Sequence, residues 1–132
     1  MFPGSTLGDA VRPTPRGEGT TDLSIMQDRF HTQFCADVPE AKARRMAATQ
    51  RPATLEALQE PSGDPLWKRI PSWFVFGEED RNITAALEHY MAERAGAQRT
   101  IEIPGASHAV SVAHPAATAR VILEAASVQV GV

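Results

Sequence analysis

The clearest change in the pattern of apolar and polar positions lies between residues 71 and 109. Trp73-Phe74-Val75-Phe76 is a run of four large apolar side chains, broken by Gly77-Glu78-Glu79-Asp80. Such a run predicts a strand, Pro71 to Phe76, buried on both faces as in a parallel sheet covered by helices. The pattern then switches to a helical period. Ile83, Leu87, Tyr90, Met91 and Arg94 fall on or near one face of a helix over 83–95, and Gly96 suits the residue just past its end. Arg99 to Ile103 predicts a second strand with Ile101 and Ile103 inward. Pro104-Gly105-Ala106-Ser107-His108 is a loop. Pro115 opens a last helix whose buried face holds Val121, Ile122 and Ala125, and the tail 128–132 is short. Strand, helix, strand, helix implies a parallel pair with a right-handed crossover. Two parallel strands make no stable sheet alone, so the unit predicts one edge of a sheet whose centre is missing.

Before residue 71 the signals are shorter. Residues 1–22 read as coil, because Pro3, Gly4, Gly8, Pro13, Pro15, Gly17 and Gly19 punctuate too densely for a helix or strand. Leu23 to Phe34 reads as a helix on the spacing of Met26, Phe30 and Phe34. A second helix starts with Asp37 as its cap, Pro39 in the first turn and Glu40 three after the cap, and runs to about Thr49. Thr54 to Glu60 is a third, ended by Pro61, and Ser62-Gly63-Asp64-Pro65 is a turn. Short helices with thin apolar stripes depend on tertiary packing. Residues 23–70 therefore read as a helical lid laid over a sheet, and 71–132 as the strand–helix–strand–helix part of a core.

Composition narrows the classes. The 132 residues fit one ordinary domain, and 13 basic against 16 acidic residues give a net charge of −3. No basic cluster exceeds Lys42, Arg44 and Arg45, so nucleic acid is not expected as a partner. No apolar run approaches membrane-spanning length, so no membrane partner is expected. Met1-Phe2-Pro3-Gly4-Ser5 lacks the charge and apolar run of a signal peptide. Cys35 is the one cysteine, which suits a reducing compartment; a cytoplasmic protein is expected.

Two residues carry the candidate chemistry. His108 follows a strand and stands among small neighbours, which leave an imidazole room to act as a general base. By itself it reads rather as a loop histidine without a role, since histidine is common in loops. Asp80 follows the preceding strand, so both reach the same edge of a parallel sheet, where ligands and catalytic groups gather. A carboxylate there fixes a histidine tautomer and stabilises the imidazolium. Alternatively, Asp80 complements the dipole of the helix that follows, and Glu78 and Glu79 compete for either role. His31 and Cys35 stand four apart on a helix, but two ligands make no metal site, and no metal or cofactor is expected.

Pro71 to Asp80 is similar to the strand-seven pattern of the α/β-hydrolase superfamily, an apolar strand followed by Gly-x-x-Asp. Ile103-Pro104-Gly105-Ala106-Ser107-His108 is similar to that superfamily's histidine loop after strand eight, and Pro115 to Ala126 to its closing helix. The resemblance covers about the whole chain, in the esterase and cofactor-free haloperoxidase-like branch. It implies an α/β fold represented by its lid and C-terminal portion. It implies Asp80 and His108 as catalytic acid and base in the chain order nucleophile, acid, histidine. It also implies a small-molecule, ester-like substrate for the full domain. Met26, Phe30 and Phe34 are the expected lining of its pocket, with plain packing of lid on body as the alternative.

The departure is at the nucleophile. Gly-x-Ser-x-Gly does not occur in the 132 residues, and Ser107 precedes the histidine directly, after the wrong strand. The oxyanion-hole loop of the family has no counterpart either. One expectation is a hydrolase fragment that is inactive alone. The other is a non-catalytic remnant or small α/β binding module, prone to self-association through its exposed sheet edge.

Overall fold

The computed structural model describes residues 3–17 and 19–128. Helix α1 (Leu7–Ala10) leads into strands β1 (Val11–Gly17) and β2 (Thr20–Ile25), followed by α2 (Gln27–Phe34), α3 (Glu40–Thr49), β3 (Ala53–Thr54) and α4 (Leu55–Gln59). After a 3₁₀ turn at Leu66–Lys68 come β4 (Trp73–Gly77), α5 (Ala85–Arg94), β5 (Arg99–Ile103), α6 (Val110–Ala113) and α7 (Pro115–Ser127). The strands form an antiparallel sheet in the order β1-β2-β3 and a parallel pair β4-β5.

The parallel unit has the expected order and direction. β4 and β5 run in register from Trp73 opposite Arg99 to Gly77 opposite Ile103, with α5 as the crossover. Burial is incomplete on both faces, however. Phe76 is buried, but Trp73, Phe74 and Val75 are only partly covered, because β5 is the one strand beside β4 among the described residues. α7 buries Val121, while Ile122 is 62% exposed, against the expectation of a shared buried face. Consecutive helical residues are 100° apart, and a helix resting on one edge of a narrow sheet covers only one of them.

The N-terminal reading is corrected. Residues 11–17 and 20–25 are the paired strands of a β-hairpin, where coil was expected up to about residue 22. Gly17 and Gly19 take φ of +91° and +80° at its turn, which glycine adopts without strain. Pro13 and Pro15 lie on β1, an edge strand, where a missing N–H can face away from the ladder. Residues 1, 2 and 18 of the expected coil, and the tail after Val128, lie outside the described residues. Leu23 is strand, not helix: it pairs with Pro13 on one side and Ala53 on the other. The segment 23–70 is thus mixed rather than wholly helical.

The expected cap of α3 is also different. No side chain caps that helix, whose flanking residue is Pro39; Asp37 bonds elsewhere. The buried cluster under α2 and α3 is Phe30, Cys35, Val38, Ala43 and Ala47, joined by Ala109 from the far end of the chain. Packing thereby brings α2 and α3 onto the residue next to His108.

Candidate active site

β4 and β5 are parallel, so their C-terminal loops emerge side by side, and backbone bonds lace them together. Glu78 N–H donates to the Ile103 carbonyl at 3.1 Å and Glu79 N–H to that of Ala106 at 2.9 Å. Gly105 N–H donates to the Glu78 carboxylate at 2.9 Å. Glu78 is thereby occupied, and Asp80 is the acid of the three that meets the histidine. Its Oδ2 accepts from Nδ1 of His108 at 2.7 Å. Its Oδ1 accepts the backbone N–H groups of Asn82 at 2.7 Å and Ile83 at 3.0 Å. The Asp80 side chain is only 3% exposed, so these donors replace water around a buried carboxylate.

A carboxylate can only accept when ionised, so the proton of a neutral His108 sits on Nδ1. Nε2 is then left with its lone pair free to take a proton. The Phe34 ring meets the imidazole edge-on, with centroids 4.9 Å apart, and Phe30 stacks behind Phe34 at 5.0 Å. His108 lines a cavity of about 610 Å³ whose other walls include Leu23, Phe30, Phe34, Met46 and Ile83. Met26 is not among them. It precedes α2 and lines a separate polar groove with Arg12, Asp22 and Asp28. The 26-30-34 spacing suggests one face, but the helix begins only after Met26.

Several neighbours carry no signal in the local sequence. Gln33 on α2 is buried and donates to Asn82 Oδ1 and to the Arg81 carbonyl, both at 2.9 Å, which ties α2 to the acid loop. Glu88 on α5 has its carboxyl pushed above the ordinary value, first by burial and then by the Asp80 charge, against an opposing pull from His108. Asp37 accepts from the Ser107 hydroxyl and from His114 Nε2, the latter at 3.0 Å. Burial works to raise the Asp37 carboxyl. Hydrogen bonds from the Ser107 side chain, the Ser107 and Asp37 backbones and His114 outweigh burial and hold it below the ordinary value.

The remaining sequence candidates separate. Ser107 gives its hydroxyl hydrogen to Asp37, not to the imidazole, and no serine, threonine or cysteine among the described residues bonds to Nε2 of His108. His31 Nε2 bonds the Val38 carbonyl at 2.8 Å, and Cys35 is fully buried. Among the described residues no group of three or more His, Cys, Asp or Glu is placed to hold a metal. No helix among them is long and apolar enough to cross a membrane.

Comparison with known proteins bears on this arrangement. A search of curated proteins finds no match. Among solved structures the chain is similar to polyneuridine aldehyde esterase, at 14% identity and a TM-score of 0.76, covering 96% of this chain and 52% of that one. It is similar to a methylesterase from Arabidopsis at 17% identity and a TM-score of 0.73, covering 96% and 55%. The chain thus spans about half the length of the solved structures it matches. Likeness at these identities establishes the fold, which is the α/β-hydrolase fold. The profile of the alpha/beta hydrolase family matches residues 2–121, and the chain belongs to that family.

Proposed function

We propose that this chain is the C-terminal part of a serine hydrolase that cleaves a carboxylic ester or similar acyl bond. The observation that carries the reading is the 2.7 Å bond between His108 Nδ1 and a buried Asp80, with the imidazole on the wall of an apolar cavity. Asp80 holds the Nδ1–H tautomer and stabilises the imidazolium. Nε2 takes the proton of a serine as it attacks the acyl carbon, then delivers it to the leaving alkoxide. Phe30 and Phe34 line the space for an apolar acyl or alcohol group. The serine comes from a Gly-x-Ser-x-Gly turn outside these 132 residues, and residues 23–70 act as the lid. A buried, free Cys35 suits a reducing, cytoplasmic setting.

The test is to express the chain alone and in frame with any coding sequence upstream of Met1, and to assay p-nitrophenyl esters. The chain alone is expected to stay at background. The longer protein is expected to turn over, with kcat falling roughly 10⁴-fold in His108→Ala or Asp80→Asn. Turnover by the 132 residues that His108→Ala abolishes would place the nucleophile inside the chain. A stop codon just upstream of Met1 on the native transcript would exclude the fragment reading.

A second reading rests on the coverage of β4. With one neighbouring strand among the described residues and with Ile122 and Leu123 exposed on α7, the chain suits a non-catalytic module that self-associates. Sedimentation separates the two: the module reading requires a defined oligomer of the natural short product.

A further inference from the structure

We propose that Asp37 is a positioning residue for His108, clamping the histidine loop through Ser107 onto the stretch between α2 and α3. The inference rests on the reading of Asp80 and His108 as an acid–base pair. Three consecutive residues of the loop are each held by a different partner. The Ser107 hydroxyl donates to Asp37 Oδ1. His108 is held by Asp80. The N–H of Ala109 donates to the Phe34 carbonyl at 3.1 Å. The loop is therefore anchored immediately before the imidazole through the Ser107 side chain and immediately after it through the Ala109 backbone, both times to residues 34–37. Phe34 adds its ring against the imidazole itself.

Asp37 has no local reason to lie where it does. It leaves α3 uncapped, and its side chain is only 19% exposed. Its remaining oxygen is met by His114 Nε2 at 3.0 Å, at the residue that flanks the start of α7. One carboxylate thus joins the α2–α3 loop, the histidine loop and the entry to α7. Each bond is charge-assisted, the strong class of hydrogen bond. A base displaced by about 1 Å loses on the order of 100-fold in rate, so anchoring the loop on both sides of His108 has a direct catalytic meaning.

The test follows the His108 Nδ1 proton by NMR in the full 132-residue chain, alongside thermal unfolding. In the wild type this proton is expected as a downfield resonance that Asp80→Asn removes. Its absence, or its survival in Asp80→Asn, would overturn the pair and the clamp with it. With the pair established, Asp37→Ala is expected to keep helical circular dichroism while the resonance shifts and exchanges with water about tenfold faster. Asp37→Glu, which can still reach Ser107, is expected to recover part of the protection. If Asp37→Ala does not fold, Ser107→Ala carries the test with the same expectation. A lowered melting temperature with an unmoved resonance and unchanged exchange in the variant that folds would show a structural staple only, and overturn the proposal.

Discussion

Gly77 lies so close beneath Ser107 that a Cβ on it would stand 2.5 Å from the Ser107 carbonyl oxygen, and closer still to that of Ala106. No side chain fits between the end of β4 and the histidine loop. Both neighbours are backbone, which cannot swing aside as a side chain can. This close approach draws the two loops together and puts Asp80 within reach of His108.

Gly77→Ala is therefore expected to destabilise the fold by about 3 kcal/mol, the upper range for overpacking a tight site. Urea unfolding of the two proteins measures it. A loss below about 1 kcal/mol would mean that the Ala106–Ser107 backbone yields.

Asp37 gives a pH dependence with a definite sign. Its carboxyl is held below the ordinary value in the fold, so the folded state binds that proton less readily than the unfolded chain does. The stability it contributes is complete above the unfolded value of about 4 and is lost as pH falls through the lower folded value. The difference in melting temperature between wild type and Asp37→Asn should stay constant from about pH 7 to 5 and shrink below about 4. A difference that grows on acidification would contradict the bonding described.

Cys35 should be chemically silent in the folded protein. It is fully buried, and its thiol is pushed above the ordinary value, first by burial and then by the neighbouring Asp37 charge. Thiolate is the reacting form, so both access and ionisation are withheld. An aromatic disulfide reagent should label it only across the denaturant unfolding transition. Prompt labelling without denaturant would contradict the packing of α2 and α3.

The second half of the chain was legible because its information is local. The run 73–76, the period of 83–95 and the alternation of 99–103 each declare an element within a few residues, and parallel direction puts Asp80 and His108 at one edge. The hairpin was not legible, because its strands are defined by pairing. Leu23 is a strand residue because Pro13 and Ala53 flank it, and no window around Leu23 contains both. Asp37 shows the same limit. Asp37-x-Pro39-Glu40 has the letters of a helix start, but its carboxylate answers to Ser107 and His114, at least 70 residues away. Met26 and Ile122 fail by one step, since a helical period says which residues share a face but not where the helix begins or which degree of rotation faces inward.

The bonds from Gln33 to Asn82 and from Ser107 to Asp37 join positions 49 and 70 apart in the chain. Closing such loops is entropically expensive, and contacts of this range slow folding. A chain made from its N-terminus has already left the ribosome through α2 and α3 before their partners exist. The hairpin and its helices must wait, with the Phe30–Phe34 surface open, until residues 107–109 emerge. The Asp80–His108 bond therefore forms only after the hairpin, α2 and α3 have been made, and the interval before it closes is when a chaperone would matter most.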